Sequence, residues 1–264
     1  MFGSDTQQWA HAFLSAFDEE AFCYVRFNDV DAFLPAGSLV TMYHCIHLGN
    51  DARFNVLAET NHLRWMVHHL QPGGVFLDVG AAIGQMTIPV ALQRPGVSIY
   101  AFEPAQRARR LLIATLRRNE ITGVRIIPAA ISSHTGMVNF LERDIDPTGN
   151  CPWLAEASTI AAVGTTSQPR EQTYEIEALT LDEFAKRHGI GGRHVVVKID
   201  IEGYEIEALK GAQQFLAANR VDLAIDIHAR PDGPEMTEDE CRALLTPHGY
   251  RFERMGHVLL CERD

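Results

Sequence analysis

The sequence predicts an α/β fold in which a parallel sheet is covered by helices, and three observations predict it. From about residue 75 onward, short apolar runs alternate with amphipathic stretches of helical period, the pattern of parallel strands joined by crossover helices. The first run, Val75-Phe-Leu-Asp78-Val79, ends in an acid and breaks into Gly80-Ala81-Ala82-Ile83-Gly84-Gln85. That is how a strand buried on both faces feeds a glycine loop, in which backbone approaches a ligand where a Cβ would collide. The next run ends in Tyr100-Ala-Phe102-Glu103-Pro104, a carboxylate about 20 residues past the loop, where such an acid accepts hydrogen bonds from ribose hydroxyls.

Each element then follows from its local pattern. Residues 1–74 precede the alternation and carry helical patterns at Trp9–Phe17 and Val56–Leu70, the second closing at Pro72-Gly73-Gly74. They are expected to form a helical extension or cap, and a contact for a homo-oligomer, on a main domain over residues 75–264. Strands are expected at Val75–Val79, Ser98–Phe102, Val124–Ile127, His194–Ile199 and Val221–Ile227, all short apolar runs. Helices are expected after Gly84 and over Pro104–Asn119, Leu181–His188 and Tyr204–Asn219. The helix from Pro104 is the clearest: Leu111, Leu112, Ala114 and Leu116 sit among arginines, and proline suits a first turn. Met137–Leu141 is strand-like. The remainder of 136–178, rich in Pro, Gly, Ser and Thr, is expected to be a long loop acting as a substrate lid. The chain closes with a helix over Thr237–Leu245 and an antiparallel hairpin of Tyr250–Arg254 and His257–Glu262 around Met255-Gly256.

Composition sets the outer bounds. A chain of 264 residues with 46% hydrophobic content can bury a full core and is most simply one α/β domain with a decorated end. A formal net charge of -11 argues against nucleic acid as partner, because nonspecific binding needs clustered Lys and Arg to displace counterions. No apolar run approaches the roughly 18 to 20 residues that span a bilayer, and Met1–Gln8 lacks a basic segment leading into an apolar core. A soluble, cytoplasmic enzyme is expected. The five cysteines are scattered and never in CxxC spacing, which excludes a disulfide framework or thiolate zinc site. The spacings His44-x-x-His47 and His68-His69 come without companion acids or cysteines, so these are read as surface or core histidines.

Two glycine-loop chemistries compete for the opening motif. A dinucleotide fold uses GxGxxG so that a helix N-terminus can hold a pyrophosphate; here the spacing is Gly80-x-x-x-Gly84 with Asp78 beside it. An aspartate there repels pyrophosphate and suits an ammonium or sulfonium group. With Glu103, the loop indicates an adenosine-like ligand, although Glu103 taken alone reads equally well as an acid favoured at a helix start.

A second constellation lies further on. In Val197-Lys198-Ile-Asp200-Ile-Glu202-Gly203-Tyr204-Glu205, strand alternation puts Lys198, Asp200 and Glu202 on one face at a strand's carboxyl end. Asp226 and His228, two apart beyond the next strand, share a face in the same way. If those strands are neighbours, the groups converge where open α/β sheets bind ligands. Three roles fit them: a general base for an acceptor hydroxyl, a hard divalent-metal site at Asp200, Asp226 and His228, or a clamp for a ligand ammonium. Purely structural roles remain open: Glu202 as a helix-start acid, Lys198 as its ion-pair partner, and His228 as an exposed loop residue.

The order of Asp78-Val-Gly80-Ala-Ala-Ile-Gly84, Phe102-Glu103-Pro104, Ala129-Ala-Ile-Ser132 with Gly136, Leu179-Thr-Leu-Asp-Glu-Phe184, the Lys198 to Glu205 block and Leu209-Lys-Gly211-Ala212 resembles the FkbM family of S-adenosylmethionine-dependent methyltransferases. The resemblance spans about residues 75–230. It implies a class I methyltransferase fold, a Rossmann-like three-layer sandwich with a seven-stranded, mostly parallel sheet and an antiparallel last strand. It implies O-methylation of a small-molecule, sugar or lipid-linked hydroxyl. By the same resemblance Asp78, Gly80, Ala81, Gly84, Gln85 and Asp200 line the methionine and ribose portion of S-adenosylmethionine, Glu103 and Pro104 the ribose, and Ala130 the adenine edge. Lys198, Asp200, Glu202, Asp226 and His228 are the candidate catalytic groups. One departure is visible, Ala82 where the family tends to have Asn. The competing readings are a nicotinamide oxidoreductase, which wants GxGxxG, and a binding protein that has lost turnover.

Overall fold

The computed structural model describes residues 22–27, 30–35, 61–143, 159–160, 171–230 and 233–263. Its centre is β3 (Val75–Val79), every residue of which is buried. The continuous apolar run is explained by cover on both faces. Val75, Leu77 and Val79 pack with Val197, Ile199, Leu223 and Phe184 on one side, while Phe76 packs with Met66, Leu70, Val90 and Val196 on the other. Alternation leaves Asp78 on the Phe76 face.

From β3 the chain passes through α2 (Thr87–Gln93) to β4 (Ser98–Phe102), and through α3 (Gln106–Arg118) to β5 (Val124–Ile127), each new strand parallel to the last and further out. It later returns to the opposite side of β3 with β10 (His194–Ile199), followed by β11 (Arg220–Asp226), both parallel. The closing hairpin is β12 (Arg251–Met255) and β13 (Val258–Glu262), and β13 pairs antiparallel with β11. The seven-stranded order is therefore β12-β13-β11-β10-β3-β4-β5, a class I methyltransferase sheet with one reversed strand. The order reverses between β3 and β10, the switch point at which ligands bind in such sheets.

Between β5 and β10 the chain builds a second, four-stranded sheet, ordered β6-β9-β7-β8, from β6 (Ala129–Ile131), β7 (Gly136–Arg143), β8 (Thr159–Ile160) and β9 (Glu171–Leu179). The stretch expected as a long loop thus has strands at both ends, β7 and β9 pairing antiparallel over eight residues. The sequence carried the signal. Tyr174, Ile176 and Ala178 alternate with glutamates, a half-buried strand masked by the turn-rich composition before it. Residues 144–158 and 161–170, the rest of the expected lid, lie outside the described residues.

The expected helix over Tyr204–Asn219 is two, α5 (Glu205–Lys210) and α6 (Gln213–Ala218). They part at Gly211, where a Cβ would overlap the carbonyl oxygen of Ser132. Here α4 (Leu181–His188) keeps its expected bounds, capped by the Thr180 hydroxyl accepting from Glu183 N at 3.0 Å and closed by left-handed Gly189.

Before residue 75 the pattern expected over Val56–Leu70 is helical at 61–69, named α1, with 56–60 outside the described residues. Trp65 and His69 of α1 both meet Glu262, at 2.8 and 3.2 Å, tying it to β13. Trp9–Phe17, His44 and His47 lie outside the described residues. An antiparallel pair, β1 (Phe22–Phe27) and β2 (Val30–Pro35), also occurs here, where only helical patterns were expected. β2 is clasped to the end of α3 by Asn119, whose side chain accepts from Phe33 N and donates to Phe33 O, both at 2.7 Å. Among the described residues no helix is long and apolar enough to cross a membrane.

Candidate active site

The site begins where β3 ends. Gly80 N and Ala81 N donate to the Phe102 carbonyl, at 3.1 and 2.9 Å, curling the chain over the end of β4. Gly80 has φ +81, and a Cβ there would overlap the Asp200 carbonyl oxygen; one on Gly84 would meet Leu112 and Ile88 of the flanking helices. Both glycines therefore serve close approach inside the protein, loop to β10 and loop to helix, and Gly80 also lines the cavity. Ala82 has φ +47, a left-handed conformation that Asn tolerates better than Ala. This gives a backbone reason for the family's Asn at that position.

Lys198 stands opposite Asp78 in the β10 and β3 register. Its ammonium donates to Gly80 O at 2.7 Å and pairs with Asp200 at 3.0 Å and Asp78 at 3.6 Å. Burial by itself lowers the Lys198 pKa, but Asp200 and Asp78 outweigh it and raise it. A lysine so held is favoured in its charged form, and it joins strand, loop and carboxylates. Asp78 is fully buried, accepts from the Thr87 hydroxyl at 2.5 Å, and is raised chiefly by burial. It sits behind Lys198 and does not line the cavity, and neither does Gly84.

Glu103 closes the loop's far side. Its two carboxylate oxygens accept from Ala82 N at 2.6 Å and Ala105 N at 2.7 Å, and burial raises its pKa to about 7 against those hydrogen bonds. It thus holds the glycine loop and the start of α3 at once, and it lines the cavity. The next two amides of α3 are met from the second sheet, Gln106 N by the Tyr174 hydroxyl at 3.1 Å and Arg107 N by Glu142 at 2.9 Å. Beyond Glu103 the cavity wall is apolar, formed by Pro104, Ala108, Ala130 and Phe140.

The opposite end is acidic. β10 stops at Ile199, so strand alternation no longer applies at Glu202, which has φ +55; Gly203 follows at φ +97. This turn, not a strand face, brings Glu202 beside His228. The His228 Nε2 lies 3.7 Å from Asp200 Oδ1 and 3.9 Å from Glu202 Oε2, while Nδ1 meets Glu205 Oε1 at 3.0 Å. Burial lowers His228, but the Glu205 hydrogen bond and the Asp200 and Asp226 charges outweigh it and push the imidazole up to about 9. Asp226 is held well above the ordinary carboxylate range by burial and by the charge of Asp200. Burial also acts to raise Asp200, yet Lys198 and His228 keep it below that range.

The fold thus brings Gly80, Ala81, Gln85, Glu103, Pro104, Ala130, Lys198, Asp200, Glu202, Asp226 and His228 around one cavity. The same cavity takes His62, Phe140, Tyr204 and His257, which sequence reasoning missed. His257 lies 3.4 Å from Asp226, and its ring is 6.3 Å from that of His62. For His257 the sequence offered only its place directly after the Met255-Gly256 turn; the register that sets Asp226 against Val258 appears in the fold alone. For His62 the signal was its helical spacing to Met66.

The profile of the family described as "Methyltransferase FkbM domain" matches residues 78–252. Hexuronic acid methyltransferase AglP of Haloferax volcanii is 28% identical over 208 residues, 78% of this chain and 77% of that protein. The 31-O-demethyl-FK506 methyltransferase FkbM of Streptomyces tacrolimicus is 40% identical over 68 residues, 26% of each chain. Among solved structures, methyltransferase FkbM of Methylobacillus flagellatus overlays at a TM-score of 0.47 and 16% identity, covering 85% of this chain and 60% of that one. The loop, Glu103 and the acidic histidine cluster all fall inside the profile match, and the chain belongs to the FkbM family of S-adenosylmethionine-dependent methyltransferases.

Proposed function

We propose that this enzyme methylates a hydroxyl of a small molecule, a natural product, sugar or lipid-linked glycan, with His228 as the general base. The observation that carries the reading is His228, which lines the cavity with Nδ1 held by Glu205 and with Nε2 3.7 Å from Asp200 Oδ1, beyond hydrogen-bond reach. The names of the two relatives, a hexuronic acid methyltransferase and an O-demethyl-FK506 methyltransferase, support an oxygen acceptor.

The cavity's residues fit the cofactor in order. The wall of Pro104, Ala108, Ala130 and Phe140 suits adenine. Glu103 suits the ribose hydroxyls, and ionised Asp200 suits the cationic methionine end. When bound, S-adenosylmethionine supplies a methyl group activated by the sulfonium. That methyl would go to the acceptor oxygen with the thioether as leaving group, and His228 would take the acceptor's proton on Nε2. Alignment of the acceptor by the cavity supplies as much as about 7 to 11 kcal/mol, and a placed base about 10² to 10⁴-fold.

The test uses His228→Ala and Asp200→Ala, with S-adenosylhomocysteine binding followed by calorimetry and turnover on a panel of uronic-acid glycosides, neutral glycosides and macrolides. For His228→Ala, binding is expected to persist while turnover falls about 100-fold or more. Wild-type turnover in both variants, with binding intact, overturns the reading.

A divalent cation is a second reading, favoured by one observation. Asp200, Asp226 and His228 each present a ligand atom, all within 4.8 Å of one another, and oxygen and imidazole donors suit such ions. Turnover that is unchanged by chelator and by added magnesium or manganese removes it.

A further inference from the structure

The acidic end contains a carboxylate that the base assignment does not use. Glu205, the first residue of α5, is fully buried. Its Oε1 accepts from Gly203 N and meets His228 Nδ1, both at 3.0 Å, and its Oε2 has no hydrogen-bond partner among the described residues. A carboxylate taken wholly out of water for one backbone amide and one imidazole is an expensive way to secure a turn. The turn is itself strained, with Glu202 and Gly203 both left-handed. This geometry carries Glu205 back under the histidine.

His228 is anchored on its other sides too. Its carbonyl accepts from Thr237 N at 3.0 Å, and the preceding residue's amide donates to His257 O at 3.1 Å. With the backbone held and Nδ1 engaged by Glu205, Nε2 is the ring nitrogen left for the cavity that His228 lines. It stands 3.7 and 3.9 Å from the nearest carboxylate oxygens given by Asp200 and Glu202, beyond hydrogen-bond range. The hydrogen bond made by one ring nitrogen decides which nitrogen carries the proton in the neutral ring.

We infer that Glu205 is a positioning residue: it accepts the Nδ1–H of His228 and so presents an unprotonated Nε2 to the acceptor hydroxyl. The arrangement is the general one of a base oriented by a third group. It rests on the reading of His228 as base, and it adds the group that selects the tautomer.

Two measurements test it on the full-length enzyme. In the wild type at a pH where His228 is neutral, ¹⁵N-resolved spectra are expected to show the Nδ1–H tautomer; the Nε2–H tautomer overturns the inference without any variant. In Glu205→Gln, which keeps volume and removes the charge, the thermal midpoint and the KM for S-adenosylmethionine are expected to hold. Above about pH 9, where the His228 ring is neutral in both proteins, kcat is expected to fall at least tenfold, and the Nδ1–H signal to weaken. A purely structural role moves the midpoint and leaves kcat, so kcat within twofold of wild type overturns the inference. Loss of turnover in His228→Ala together with unchanged kcat in Glu205→Gln removes the role of Glu205 alone, whereas full turnover in His228→Ala removes the base assignment beneath it.

Discussion

His228 is a base whose own surroundings work against it at neutral pH. Burial lowers it, but Glu205, Asp200 and Asp226, with Glu202 3.9 Å away, outweigh burial and lift its pKa from 6.5 to about 9. A reaction that needs the neutral ring therefore gains about tenfold per pH unit from pH 7 and levels off near pH 9. A flat kcat/KM profile over that range rejects His228 as the base. The sign for stability is opposite. The pairing of protonated His228 with its acids is present in full below about 6.5 and is lost as pH rises through about 9. Glu103 differs in kind: burial lifts it to about 7, so its penalty grows above its ordinary range and levels off beyond that pH. Glu103→Gln leaves one of the two amides, Ala82 N or Ala105 N, facing an NH₂ group. The expected cost is about 1 to 3 kcal/mol of stability, and, on the proposed ribose contact, S-adenosylhomocysteine binding is expected to weaken about tenfold or more. Thermal melting and calorimetry on one preparation read both.

The unit that matters among the elements is the loop after β3, held from three directions. Lys198 ties it to β10, the Phe102 carbonyl ties it to β4, and Glu103 ties it to the start of α3. Neither glycine of the loop has room for a Cβ. Gly80→Ala puts a Cβ into the Asp200 carbonyl at a left-handed φ, so it is expected to cost about 1 to 3 kcal/mol from overpacking and to displace Asp200. A melting curve and a cofactor-binding titration both register the change; unchanged values for both would mean that loop and strand are not in register as described. The sequence motif is right about where the glycines must be and incomplete about why. Spacing alone does not distinguish a glycine that admits a ligand from one that admits a neighbouring strand.

Across the whole molecule, the site depends on segments far apart in the chain. The N-terminal β2 leans on α3 through Asn119, whose side chain also donates to Thr115 O at 2.8 Å. Asn119→Ala is expected to remove about 1 to 2 kcal/mol from that clasp and to raise hydrogen exchange in residues 30–35, while the amides of β3 keep their protection. Equal exchange in wild type and variant would show that the clasp contributes nothing. The second sheet is likewise joined to the cofactor side, because Glu142 and Tyr174 hold the first amides of the helix that Glu103 opens.

What the sequence determined by itself is the central elements of the main sheet and the chemistry carried at their ends. β3, β4, β5, β10 and α4 lie where the local pattern puts them, because burial on two faces or on one stripe imprints a period that reads directly. Glu103, Asp200, Asp226 and His228 were legible because they stand at strand ends in a parallel sheet. Tertiary structure alone decided partners. That β13 slots between β11 and β12, that Asp78 lies behind Lys198 instead of in the cavity, and that His62, His257 and Glu205 reach the same end of the molecule all depend on pairings between residues distant in sequence. The physical reason is that periodicity records which face of an element is covered, whereas the identity of what covers it is set only when the sheet closes.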